Sequence, residues 1–202
     1  FSVYSILVKK EKIFTIPNLL SISRLVMIPI LYYLSLKQNA LLFGILYFLT
    51  GATDALDGFL ARLLKQETRL GVVFDEIGDY SYYLFSVVFM YLWNKQLVLE
   101  NLVIVGILLF YFISQSIAIF LISGRFHSLH LYTQKLWGFS VFLNVMYYVL
   151  IGDSYFPLYF LLVYGTVVYV EVMYIVFKLN KNLYDNVGSI FLMRRKLRKS
   201  KK

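Results

Sequence analysis

Of the 202 residues, 60% are hydrophobic and only 15% are charged, with a mean hydropathy of +0.71. This balance excludes a single water-soluble domain, whose surface needs far more polar side chains, and describes an integral membrane protein that exposes apolar groups to lipid. The lack of cysteine excludes disulfides and thiolate chemistry, leaving oxygen or histidine to hold any metal, and the net charge of +9 sits between apolar segments and at the chain ends, where anionic lipid headgroups rather than nucleic acid are the expected partner.

In chain order, segments of about 20 apolar residues, enough to span a bilayer, fall near Leu19–Leu36, Ala40–Leu60, Gly71–Trp93, Leu97–Ser123, Leu131–Ile151 and Phe156–Phe177. The expected fold is therefore all-α with six transmembrane helices in one domain covering residues 1–202. Residues 1–18 form a juxtamembrane segment and 179–202 a basic tail. The first apolar stretch follows a polar segment and precedes further spans, which is the pattern of a span rather than of a cleaved signal. The polar turns, such as Lys37-Gln38-Asn39 and Gly152-Asp153-Ser154, are too short to hold a soluble domain. Connections on one side hold only Lys37 and Lys95, whereas Lys9, Lys10, Lys12, Arg24, Arg62, Lys65, Arg69, Arg125, Lys135 and the tail fall on the other. Since cytoplasmic loops retain Lys and Arg, both termini are expected in the cytoplasm.

Six of the eleven acidic residues lie between positions 54 and 79: Asp54, Asp57, Glu67, Asp75, Glu76 and Asp79. A carboxylate in hydrocarbon is costly unless it is paired or binds a cation, so such residues mark function. At about 100° per residue, Asp54, Asp57, Gly58 and Ala61 share one face of the second helix, and Gly71, Asp75 and Asp79 share one face of the third, with about 6 Å per step. Asp57 precedes the hairpin 65–70 by about as many residues as Asp79 follows it, so in an antiparallel pair the four carboxylates converge. Four like charges need a compensating cation, and hard oxygen ligands favour Mg²⁺, Mn²⁺ or Ca²⁺, with phosphate chemistry favouring the first two. Gly58 and Ala61 leave wall without bulky side chains, which suits either a substrate approaching the backbone or close helix packing.

The run Asp54-x2-Asp57-Gly58-x2-Ala61-Arg62-x8-Gly71-x3-Asp75-x3-Asp79 resembles the complete signature of the CDP-alcohol phosphotransferases, membrane enzymes of phospholipid synthesis. Pro17-Asn18-Leu19-Leu20-Ser21 with Arg24 is similar to the opening of many members. The resemblance implies transfer of a phosphatidyl group from CDP-diacylglycerol to an alcohol acceptor with release of CMP, at a cytoplasm-facing site in a homodimer. It further implies two Mg²⁺ or Mn²⁺ ions, one held by Asp54, Asp57 and Asp75 and the other by Asp54, Asp75 and Asp79. Asp79 would also be the catalytic base. Asn18, Gly58, Ala61, Arg62, Thr68 and Gly71 would form the nucleotide pocket.

The acceptor stays open. Asp75-Glu76-Ile77-Gly78-Asp79-Tyr80 replaces the Asp-Pro-Leu-Ala-Asp-Lys continuation usual in phosphatidylglycerophosphate and cardiolipin synthases, and the Gly124–Lys135 segment replaces their Gly-Lys-x-Lys-Thr stretch. Arg125, His127, His130 and Lys135 would suit an anionic acceptor or an ordinary basic loop. Glu171, alone within the sixth span, either touches acceptor or is paired structurally. Most of the 36 Tyr and Phe residues are read as lipid-facing or interfacial packing. Two rival readings are a transporter with an intramembrane acidic cation site, which leaves the glycine and arginine spacing unexplained, and a CDP-aminoalcohol phosphotransferase, a type usually longer than this chain.

Overall fold

The computed structural model describes residues 15–64, 66, 68–123, 131–152 and 154–178, without the side chains of 54–59, 61, 62, 69, 70 and 123. The described residues are all-helical, as expected: α1 (Ile16–Leu36), α2 (Ala40–Leu63), α3 (Arg69–Trp93), α4 (Lys95–Glu100), α5 (Leu102–Ser123), α6 (Tyr132–Leu150) and α7 (Phe156–Lys178). The chain divides into two compact units, residues 1–85 and 86–202, with the boundary inside α3. Three helices, α1, α5 and α7, are long and apolar enough to cross a membrane. Their outward side chains are apolar, as lipid requires: Val103, Leu121 and Phe177 are all exposed, Phe177 by 79%.

In the first unit, α1 begins at Ile16, so Pro17 and Asn18 lie in its first turn rather than in a preceding segment. Thr15 is the reason. Its hydroxyl accepts a hydrogen bond from the Asn18 backbone N–H at 3.3 Å, and Pro17 occupies a first-turn position where its missing N–H removes no helical bond. Residues Pro17, Asn18, Ser21, Arg24, Ile28, Leu31, Leu34 and Ser35 are buried, a stripe at three- and four-residue spacing that is polar at its start and largely apolar further on. The expected turn at 37–39 is present: Gln38 adopts a left-handed φ of 52°, and the Asn39 side chain accepts from the Leu42 N–H at 3.1 Å to start α2. α1 packs on α2. Phe43 and Tyr47 are fully buried, with Tyr47 stacked on Phe43 at 5.3 Å and on Tyr82 at 4.9 Å. Phe43 and Tyr47 are thus core, exceptions to the lipid-facing or interfacial placement expected of most aromatic residues.

In the second unit the expected fourth span is two helices. The chain breaks at Asn101, which leaves helical geometry (φ −118°, ψ 30°) while its side chain donates to the Leu97 carbonyl at 2.9 Å. An amide bonding back to its own preceding turn competes with continuation of the helix. Beside the break, Glu100 accepts from Gln96 and from the Tyr155 hydroxyl, and these two bonds, Tyr155 first, hold its carboxyl below the usual range. α7 packs on both α5 and α6 around Ile119, Leu131, Val168, Val172, Ile175 and Val176. Trp137 lies edge-on against Gly165, where a Cβ would stand 2.7 Å from the indole ring. Small residues let membrane helices approach closely, and this glycine seats a rigid ring that cannot give way as a flexible chain end would. Gly165→Ala is therefore expected to destabilise the folded protein by about 1–3 kcal/mol, as overpacking does. Thermal unfolding in detergent measures this, and Trp137→Leu in the same background should recover part of the loss.

Candidate functional site

α3 starts at a hydrogen-bonded cluster that joins three of the expected nucleotide residues. The Thr68 hydroxyl accepts from the Gly71 backbone N–H at 3.0 Å, capping the helix, and donates to Asn18 Oδ1 on α1 at 3.0 Å. Asn18 is 1% exposed. A Cβ on Gly71 would fall 2.5 Å from Asn18 Oδ1 and 2.9 Å from Thr68 Oγ1. Of the two roles open to small residues, close packing therefore holds at Gly71, where the Asn18 amide fills the space a side chain would need.

Two turns further along, Arg24 reaches from α1 to Asp75 and Asp79 on α3. Its Nη2 donates to Asp75 Oδ1 at 2.5 Å and its Nη1 to Asp79 Oδ1 at 3.1 Å. The Arg24 side chain is 3% exposed, and the two carboxylates are 44% and 45% exposed. A guanidinium suits this task because its planar fork offers separate N–H groups to two acceptors one helical turn apart. The backbone of Gly78 lies beside it, with a Cβ there falling 3.4 Å from Arg24 Cζ.

These contacts fix direction as well as distance. Asn18 meets Gly71 and Arg24 meets Gly78, so position advances together on both helices, by about 9 Å on α1 and about 10.5 Å on α3 at 1.5 Å per residue. α1 and α3 therefore run parallel.

Arg24, expected among the basic residues on the cytoplasmic side and as part of the Pro17–Arg24 opening, is buried in α1 against two carboxylates, a pairing the sequence does not report. The available signal was an arginine five residues inside an apolar segment, where a charge marks a pairing partner.

Asp75 and Asp79 are hard oxygen donors on one face of one helix, both partly open, and this chemistry fits Mg²⁺ or Mn²⁺. Among the described residues no three His, Cys, Asp or Glu side chains come together. The helix α2 carries positions 54, 57, 58, 61 and 62 in continuous helical backbone, but the side chains of Asp54, Asp57, Gly58, Ala61 and Arg62 lie outside the described residues. Arg125, His127 and His130 lie outside them as well, and Lys135 is exposed. Glu171 accepts a hydrogen bond from the Thr133 hydroxyl on α6 at 2.6 Å, and Tyr164 donates to the Thr133 carbonyl at 3.1 Å, which ties α6 to α7.

The cluster at the start of α3 carries a stability prediction. Gly71→Ala forces the buried Asn18 amide away from Thr68, so the unfolding temperature in detergent should fall with a loss of roughly 1–3 kcal/mol. Thr68→Val, which removes the cap and the Asn18 bond while keeping the shape, should also destabilise, and the double variant should lose less than the sum because both act on one network.

Residues 14–177 match the CDP-alcohol phosphatidyltransferase family. Among curated proteins, the chain is 38% identical over 81 residues to the CDP-diacylglycerol--glycerol-3-phosphate 3-phosphatidyltransferase of Aquifex aeolicus, covering 40% of this chain and 46% of that protein. It is 41% identical over 69 residues to the enzyme of the same name from Haemophilus influenzae, covering 33% and 37%. It is also 41% identical over 70 residues to the cardiolipin synthase (CMP-forming) of Rattus norvegicus, covering 34% and 23%. The matched stretches span less than half the length of these relatives, whereas the family match takes in α1 to α7 almost completely. This membrane protein belongs to the CDP-alcohol phosphatidyltransferase family.

Proposed function

We propose that the chain transfers a phosphatidyl group from CDP-diacylglycerol to the hydroxyl of an alcohol, releasing CMP, in phospholipid biosynthesis. The observation that carries this reading is the Asp75 and Asp79 pair, set one turn apart on α3, braced on one side and open on the other, within a chain of this family. Asp54 and Asp57 from α2 complete a four-carboxylate site for two Mg²⁺ or Mn²⁺ ions. Such ions, when bound, neutralise the pyrophosphate and stabilise the charge that develops on the departing CMP. Asn18, Gly58, Ala61, Arg62, Thr68 and Gly71 form the nucleotide side of the site, where Arg62 presents its guanidinium to phosphate and Gly71 keeps Asn18 and Thr68 in register.

Asp79 is the base in this reading. It accepts the proton of the acceptor hydroxyl as that oxygen bonds to the phosphatidyl phosphorus, and the bond from phosphorus to the CMP oxygen breaks. Its carboxylate has two oxygens, and Arg24 bonds Oδ1.

Six spans, both termini in the cytoplasm, a single domain and a homodimer belong to the same proposal. The parallel run of α1 and α3 supports the alternation of spans, because it starts both helices on one side. The relatives' names make glycerol 3-phosphate and phosphatidylglycerol the first acceptors to try, beside inositol, inositol phosphate and serine.

CMP release from CDP-diacylglycerol with that panel tests the proposal. Release with at least one acceptor is expected, abolished by chelation and restored by Mg²⁺ or Mn²⁺. Full activity in excess chelator would exclude the metal site. Asp79→Asn should lower transfer by about 10²-fold or more while nucleotide affinity falls less, whereas Asp54→Asn should reduce both. Wild-type rate in Asp79→Asn would remove it as base. For topology, cysteines introduced singly at Ser154 and Ser200 should label from opposite sides with an impermeant thiol reagent, and labelling from one side would refute six spans.

A further inference from the structure

The geometry assigns Arg24 as the positioning residue of the cation site: it orients the Asp75 and Asp79 carboxylates so that they face a divalent ion together. This rests on the reading of those two aspartates as ligands.

Three features of Arg24 go beyond ordinary charge compensation. The first is division of labour, since Nη2 bonds Oδ1 of Asp75 and Nη1 bonds Oδ1 of Asp79. A bidentate pair with one aspartate would have fixed that residue alone. The second is rigidity. The arginine side chain is 3% exposed, so it is held by α1 and its neighbours, whereas the carboxylates it meets are nearly half exposed. The buried partner sets the position and the exposed partners adopt it. The third is the surface beside it: Gly78 lies one residue before Asp79 and presents no side chain, with its notional Cβ in contact with Cζ, Nη1 and Nε of Arg24 at 3.4 to 3.7 Å. Gly78 is thus a floor on which the planar group rests between the two acids.

Outer residues that orient metal ligands in this way affect affinity strongly, and losing one lowers metal binding by about 10–100-fold. A fixed positive charge near a cation site has the opposite consequence, because its repulsion of the ion disappears when it is removed. The two effects differ in sign, so metal affinity distinguishes a positioning arginine from a mere neighbouring charge.

The test is Mn²⁺ binding to the full-length protein in detergent, read from the electron paramagnetic resonance signal of free Mn²⁺. Two variants are compared with the unmutated chain, after each is shown monodisperse and helical. Arg24→Lys keeps the charge, but a single ammonium cannot reach two carboxylates as a fork does. Gly78→Val keeps every charge and both aspartates, while its branched carbons extend past the 3.4 Å contact into the guanidinium. Both are expected to weaken Mn²⁺ binding by about 10-fold or more. The Mn²⁺ concentration giving half-maximal CMP release should rise by a similar factor, with much of the rate recovered at saturating Mn²⁺. If Arg24→Lys does not fold, Gly78→Val decides. Unchanged or tighter Mn²⁺ binding in a folded variant overturns the positioning role while leaving the metal site standing. Failure of the unmutated protein to bind Mn²⁺ overturns both.

Discussion

Carboxylates on a largely apolar helix must find positive charge, and in this chain that requirement ties α3 to α1. Asp75 and Asp79 meet Arg24, and a buried arginine can be delivered only by a neighbouring helix held close. α1 meets that condition with a stripe that begins with Asn18, Ser21 and Arg24 and continues with Ile28, Leu31 and Leu34. The apolar part packs conventionally. The polar part is packed against the two glycines of α3, seven residues apart, whose missing side chains make room for Asn18 and Arg24. Substituting either glycine would separate the helices where the charges must meet, so the glycines and the aspartates form one device on one face of α3.

This explains why some features were legible in the sequence and others were not. Hydropathy and the period of 3.6 residues are local properties, and they located the helices, the turn at 37–39 and the shared face of Gly71, Asp75 and Asp79. The acidic cluster was legible because carboxylates in an apolar context are rare enough to stand out. The partner of those acids was not, since the Arg24 contacts join residues 51 and 55 positions apart and no periodicity reports that pairing. The same holds for Gly71, whose neighbour Asn18 lies on another helix. The break at Asn101 is hidden for a different reason: Glu100 and Asn101 are two polar residues near the start of a long apolar run, and hydropathy reports neither the departure of Asn101 from helical geometry nor its side-chain bond to Leu97. The burial of Tyr47 and Phe43 is likewise not legible, because aromatic residues are apolar in either setting and core differs from periphery only once helices are packed.

Glu171 shows how an isolated carboxylate in a span is accommodated differently. It accepts from the Thr133 hydroxyl of α6, and the Thr133 carbonyl is in turn bonded by Tyr164 of α7, so one short chain of hydrogen bonds links the two helices beside it. Polar side chains between membrane helices contribute modestly to association, typically about 0.6 kcal/mol each. That is enough to favour one register of α6 on α7 without requiring a cation. The contrast with Asp75 and Asp79 is instructive: hydroxyl partners serve a single structural acid, whereas the paired acids are bonded to a guanidinium and stay nearly half exposed.

The continuity of the acid-bearing helices also bears on what kind of site this is. Secondary transporters commonly build cation sites from discontinuous helices, whose unwound carbonyls and half-helix ends supply ligands and whose breaks permit movement. Here α2 is helical from Ala40 to Leu63 and α3 from Arg69 to Trp93, running unbroken through positions 54, 57, 75 and 79. Such helices offer side chains rather than backbone to a cation, and α3 is joined to α1 at two levels by Asn18 and Arg24. A site of this construction holds its geometry instead of alternating between two. Phosphoryl-group transfer needs that constancy, because its catalysis comes from positioning and from charges fixed before the reaction begins. Rigid attachment of α3 to α1 through one buried arginine therefore favours chemistry at a fixed centre over passage of an ion through it.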